Sequence, residues 1–330
     1  MTSKILIFRT DRIGDLIFTC PTIISIKKYF NESDITLITS EKNYQYAKSL
    51  NIFSKIIQFP RNNLKNKVKF LYKLYKEKYD YIFIFDGKER SIISSAFLQS
   101  KYKVALTQKI KFYYKFFKIK FFEDSENTSL NDLFQKMINH VDVNIKITNY
   151  DFVKNKNDNN FSKKISIDKY VHIHLDEKWY NNLYIDSYTN INPDYLNFVE
   201  FINYISKKKD ILITTGLINT QLITELKAKF FNECDKNIFH RNNFNHSIYF
   251  IYKPSFEDIE SLLRKSQVLI SCHGAITHAA NSFDIVKIDI LEENKIKFYK
   301  RFTSSFKNYF PIYRSNFINL KENLLSVLNK

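Results

Sequence analysis

The chain has 330 residues, 44% hydrophobic and 26% charged, a balance that excludes a disordered chain and leaves room for two domains of ordinary size. Its three cysteines, Cys20, Cys234 and Cys272, are too scattered for a disulfide framework or a zinc pattern, and no apolar run approaches the ~20 residues of a membrane span. The net charge of +17 is uneven: residues 1–150 carry 26 Lys and Arg against 14 Asp and Glu, and the remainder 25 against 20.

The sequence enters a strand pattern at once, Lys4-Ile5-Leu6-Ile7-Phe8, without the layout of a signal peptide, which predicts a cytoplasmic protein. Short β-branched and aromatic runs then recur. The predicted strands are 4–9, 34–39, 55–59, 80–85 and 103–106, then 170–175, 210–215, 248–252, 267–271 and 285–290. Between them apolar residues fall at helical spacing, as with Leu196, Val199, Ile202 and Ile205 in 195–206. This α/β alternation, run twice, predicts two doubly wound Rossmann-like domains, each with a parallel sheet covered on both faces, facing a central cleft. The polar segment 154–166 marks the boundary, giving domains 1–160 and 161–330. The amphipathic stretch 317–328 is a candidate helix to pack back across the first domain.

The first strand ends at Arg9 and runs through Thr10-Asp11-Arg12-Ile13-Gly14-Asp15 into a helix expected to break near Pro21. Asp15 at the helix start is most simply a cap, favoured by the positive end of the dipole. Lys101 to Lys120 holds seven lysines, six aromatics and no acid. Such a stretch suits a membrane interface or a phosphorylated lipid sugar, or else is the solvated edge of a lysine-rich protein. It also resembles a single-strand nucleic-acid surface, but no nucleic-acid module accompanies it, and no nucleic-acid partner is expected. Lys178, beside Trp179, is by itself most simply a surface residue.

Residues 266–284 read as a buried strand, a turn at Gly274 and a helix. Gly274 allows close approach of a phosphate, the amides of Ala275, Ile276 and Thr277 point at it, and His278 adds a side-chain donor. The alternative is a tight strand-to-helix turn with a histidine packed on the sheet. No Asp-x-Asp sequence occurs, and Cys272-His273 lacks the companions of a zinc site, so neither metal nor cofactor is expected.

Several of these segments together resemble glycosyltransferase family nine, the heptosyltransferases. They are Ile5 to Arg9 with Arg12-Ile13-Gly14-Asp15 and Pro21; Tyr79 to Gly87 with Arg90-Ser91; Lys178-Trp179; Ile211 to Gly216; and 266–280. The resemblance covers most of the chain and implies a GT-B type fold with an acceptor-binding first domain and a donor-binding second domain. It further implies an inverting transfer of a heptose-like sugar from a nucleotide-sugar donor to a lipopolysaccharide or other surface-glycan acceptor, with Asp15 as general base. Donor-binding residues would be Lys178, Gly216, His273, Gly274, Ala275, Ile276, Thr277 and His278, and acceptor-binding residues Arg12, Gly14, Lys88 and Arg90. Peripheral contact with the anionic inner membrane fits the basic first half. The sequence departs from the family where an acidic and a hydroxyl residue precede the glycine: here stand Cys272 and His273, with three residues between Gly274 and His278. The alternatives are a nucleotide-sugar epimerase of the same fold and a non-catalytic basic binding protein.

Overall fold

In the computed structural model, residues 2–329 are described except 32, 62, 126, 127, 149, 181, 182, 184, 186, 187 and 244. The chain divides into two units, one of Met1–Phe152 with Lys300–Ser304, the other of Val153–Tyr299 with Ser305–Lys330.

Ile5, Leu6, Ile7 and Phe8 present no polar face to water, which suits a strand covered on both sides, and all four are fully buried. They lie in β1 (Lys4–Arg9), followed by α1 (Ile13–Tyr29), β2 (Asp34–Thr39), α2 (Glu41–Ser49), β3 (Lys55–Gln58), α3 (Leu64–Glu77) and β4 (Tyr81–Ile84). Next come α4 (Glu89–Ala96), β5 (Tyr102–Thr107), a 3-10 turn (Phe112–Phe116), β6 (Lys120–Glu123) and α5 (Leu130–Asn139). The strands lie parallel in the order β3-β2-β1-β4-β5-β6. This is the doubly wound order, and it reverses between β1 and β4. Connections leaving these two strands turn to opposite faces, which opens a crevice beyond their carboxyl ends.

A short helix, α6 (Phe152–Asn155), leads into the second unit, which continues through β7 (Tyr170–Leu175), α7 (Tyr195–Ser206), β8 (Ile211–Thr215), α8 (Gln221–Glu225), β9 (Asn232–Asp235), β10 (Ile238–Asn243) and β11 (His246–Ile251). Then follow α9 (Phe256–Leu263), β12 (Ser266–Cys272), α10 (Ala275–Ala280), β13 (Val286–Leu291), α11 (Ile296–Thr303), β14 (Tyr309–Tyr313) and α12 (Phe317–Leu328). The sheet order is β14-β13-β12-β7-β8-β11-β10-β9, parallel except for β10 and β9 at one edge. Its parallel strands repeat the doubly wound order, with the reversal between β7 and β12.

The structure corrects several expectations. α1 does not break at Pro21; the helix continues through it, and its middle from Leu16 to Ile23 is buried, which offsets the hydrogen bond that a proline cannot donate. The segment 154–166 is not a bare linker. Arg264 gathers the carbonyls of Val153, Lys154 and Lys156, while Ile165 joins a core cluster with Leu212 and Leu262. α12 belongs to the second unit, where Phe317, Leu320 and Leu324 share a core with Trp179, Phe198 and Phe201. The segment that clusters with the first unit is instead the end of α11. There Phe302 meets Phe18 edge-on at 5.4 Å, and Arg301 binds the Thr128 carbonyl at 3.1 Å and pairs with Asp124. The basic stretch 101–120 is mostly built into β5, the 3-10 turn and the start of β6. Among the described residues no helix is long and apolar enough to cross a membrane.

Candidate active site

The second switch point brings two chain segments together. Beyond β7, the Asp176 carboxylate accepts from the Lys178 N–H at 3.1 Å and caps a single 3-10 turn, Glu177–Trp179. Trp179 is fully buried, and its indole N–H donates to the His174 carbonyl at 2.9 Å. With the tryptophan pinned in the core, the preceding lysine is fixed in direction. Its ammonium pairs with Asp176 at 2.7 Å and lies against Gly274, where an added Cβ would collide with it. Burial disfavours the Lys178 charge, but the Asp176 carboxylate more than offsets this and raises the amine above its ordinary value. Lys178 is thus a held cation and not a surface residue.

Gly274 has extended backbone (φ 174°), which any residue adopts, so what a side chain there would meet is the end of Lys178 and not a backbone restriction. Gly216 makes room in a similar way. A Cβ on it would stand 2.9 Å from that of Asp176 and 2.8 Å from a Glu177 oxygen, while its N–H donates to the Leu175 carbonyl at 2.9 Å.

Behind the Gly274 turn sits Asp289 on β13, fully buried. Its carboxylate contacts His273 Nδ1 at 2.7 Å and accepts from the Tyr309 hydroxyl at 2.8 Å and the Thr277 hydroxyl at 3.2 Å. The Thr277 hydroxyl also accepts from the Gly274 N–H at 3.3 Å. One carboxylate therefore holds the side chains of both His273 and Thr277. His278 meets the His273 ring at 5.1 Å and Phe306 at 5.8 Å, both edge-on.

Arg314, just past β14, braces the same turn. It donates to the carbonyls of Lys178 (2.6 Å) and Thr189 (2.8 Å), pairs with Glu292 at 3.1 Å and reaches the Cys272 sulfur at 3.3 Å. Burial pushes the Cys272 thiol up to about 12, so it stays neutral. Asp176, Asp289 and Arg314 were not singled out in the sequence. Asp289 had a signal, a carboxylate set between two isoleucines of a strand run; Arg314 had none.

The first switch point holds the other predicted residues. Asp15 is the third residue of α1, and its carboxylate accepts from the Arg12 N–H at 3.1 Å, so an acid in the first turn caps the helix start. Gly14 lies in the same turn. Arg9, nearly buried, stands 3.7 Å from the Asp15 carboxylate and 3.1 Å from that of Asp11, and also donates to the Phe85 carbonyl. Lys88 pairs with Asp11 and donates to the Thr10 carbonyl at 2.8 Å; Arg90 binds the Thr10 hydroxyl at 2.9 Å and covers the Phe59 ring. Lys88 and Arg90 thus brace the loop that leads from Asp11 to Asp15. Asp86 accepts from the hydroxyls of Thr10 and Ser91 at 2.6 and 2.7 Å. The Asp11 carboxyl is raised, first by burial, against the pull of Arg9, with the like charges of Asp86 and Asp15 adding to the rise.

No family model matches the chain, and no curated protein sequence matches it significantly. Solved structures do. The heptosyltransferase WaaC of E. coli, solved with ADP, superimposes with a TM-score of 0.66 over 99% of this chain and 98% of its own, at 12% identity. A glycosyl transferase family 9 protein of Veillonella parvula gives 0.66 over 98% and 89%, at 12% identity. The chain has the GT-B fold. The UDP-GlcNAc 2-epimerase of Methanocaldococcus jannaschii is also similar, with 0.58 over 100% of this chain and 92% of its own, at 13% identity. Identities this low carry the GT-B architecture alone. Among the described residues no group of three or more His, Cys, Asp or Glu is placed to hold a metal ion.

Proposed function

We propose that this GT-B protein is an inverting glycosyltransferase akin to family nine, moving a heptose-like sugar from a nucleotide-sugar donor to a lipopolysaccharide or other surface-glycan acceptor. The observation that carries the reading is the Lys178 ammonium held against Gly274 at the β7/β12 switch point. A fixed cation beside a side-chain-free turn suits a departing diphosphate, whose growing charge needs donors already in place. The amides of Ala275, Ile276 and Thr277 and the rings of His273 and His278 complete the donor site, and Gly216 keeps the Asp176–Lys178 turn close. In this scheme the protein's own charges serve the leaving group, without a metal.

Asp15 takes the proton from the acceptor hydroxyl as it attacks the anomeric carbon. The bond to the diphosphate breaks as the new glycosidic bond forms, which inverts that centre. Arg12, Gly14, Lys88 and Arg90 shape the acceptor side. The reaction would run in the cytoplasm, at the inner face of the membrane.

A second reading, a nucleotide-sugar epimerase, is supported by the likeness to an epimerase. One assay separates the two: release of free nucleoside diphosphate from ADP-heptose or UDP-GlcNAc, with and without a lipid-sugar acceptor. Acceptor-dependent release is the expected result. Epimerised donor without acceptor favours the second reading, and no turnover of any donor leaves a binding protein.

A further inference from the structure

α3 has two apolar faces, and the first unit buries only one. Phe70 and Leu74 enter a core cluster, with Leu71 packed at its edge. Leu64, Val68, Tyr72 and Tyr75 follow at helical spacing on the neighbouring face, and they remain 77%, 58%, 58% and 48% exposed. At about 100° per residue, Lys65, Lys69, Lys73 and Lys76 form the next row around the helix. Glu77, its single acid, is taken by Lys55 at 2.5 Å.

The pattern extends beyond the helix. α3, α4 and the 3-10 turn bury Phe70, Ile92 and Tyr114 in one cluster, so their outer sides belong to one layer. On the turn, Phe112 and Phe116 are 79% and 74% exposed, with Lys109, Lys111, Lys115 and Lys118 in and around it. Glu89, at the start of α4, is held by Lys111 and Tyr113.

We propose that this outer layer docks on an anionic lipid surface, with Leu64, Val68, Tyr72, Phe112 and Phe116 entering the headgroup region and the lysine row on lipid phosphates. Apolar side chains bordered by lysines, with the local acids already paired, match that interface in both hydrophobicity and charge. A second copy of the chain would set lysine against lysine. A nucleic acid could stack on the aromatics but would leave Leu64 and Val68 in water. The proposal rests on the reading of a membrane-borne acceptor for its purpose, since docking places the enzyme where such an acceptor resides.

Cosedimentation with vesicles tests it. Wild type is expected to bind phosphatidylglycerol/phosphatidylcholine vesicles, more weakly as salt rises, and to bind little to phosphatidylcholine alone. The triple variant Lys65→Gln/Lys69→Gln/Lys73→Gln should lose roughly a hundredfold in partitioning, about fivefold for each charge. Val68→Ser/Phe112→Ser should weaken binding at low and high salt alike. These are surface positions, so both variants should unfold at the wild-type temperature and bind ADP as wild type does. That control separates failure of the docking surface from failure of the nucleotide-sugar reading. The proposal is overturned by absent or salt-independent vesicle binding, or by variants that bind as wild type does. It is equally overturned by a concentration-dependent dimer that Val68→Ser dissociates, or by RNA binding without vesicle binding.

Discussion

The ammonium of Lys178 fills the space that a side chain on Gly274 would need, so the two residues constrain each other across the β7/β12 switch point. Gly274→Val must displace the lysine, because Trp179 and Asp289 hold the segments on either side. ADP affinity by isothermal titration should fall roughly tenfold to a hundredfold, the scale of one charge-assisted contact. An unchanged affinity in the folded variant would move the diphosphate site away from this turn.

Asp15→Asn keeps an oxygen that can accept from the Arg12 N–H, so the helix start survives and stability should change by less than about 1 kcal/mol. It removes the proposed proton acceptor. Turnover should fall by roughly 10² or more while ADP affinity holds. A variant that loses stability and keeps turnover would make Asp15 a cap alone.

Arg314→Met should cost about 3–5 kcal/mol in denaturant unfolding. The substitution takes the cation from the buried Glu292, which keeps only the N–H and hydroxyl of Thr189, and it takes a donor from the Lys178 and Thr189 carbonyls. Because the guanidinium ties Lys178 to the end of β14, ADP binding should weaken as well. Retained stability together with retained affinity would show that the site does not depend on this residue.

Stability should decline in mild acid. His174 shares the Thr214 hydroxyl with His172, at 2.9 and 2.8 Å, and burial lowers both rings, His174 from 6.5 to about 4. Between those values the unfolded chain binds more protons than the folded one, so stability is complete above about pH 6.5 and drains as pH falls toward 4. The slope for His174 is at most about 1.4 kcal/mol per pH unit. Unfolding midpoints measured across that range check it, and His174→Gln should remove that ring's share of the slope while leaving the share of His172.

Strands buried on both faces were legible because short, β-branched runs such as Ile5 to Phe8 or Tyr170 to Leu175 favour a covered sheet over a helix; β1, β2 and β7 fall at the expected residues. The strands that escaped lack such runs. β9 is exposed along its length, and β14 is an edge strand carrying Pro311. At the candidate site, Gly274 stood out as the turn between a buried strand run and a helical run. Lys178 stood out only through its neighbour Trp179 and the family likeness. Of the polar residues that hold them, Asp289 alone had a signal, a carboxylate inside a strand run. Arg314 reaches Lys178 from 136 positions away, and only the sheet order that sets β13 and β14 beside β12 brings it there.

Trp179 is the single tryptophan in the sequence, and it is sealed in the core one residue from the lysine proposed to meet the nucleotide. The protein therefore carries its own optical reporter. Its ultraviolet emission comes from one indole in a dry setting, hydrogen-bonded to the His174 carbonyl, with no second tryptophan to blur the signal. A red shift on unfolding and a smaller change on nucleotide arrival would be read from the same peak, without a dye or an engineered label.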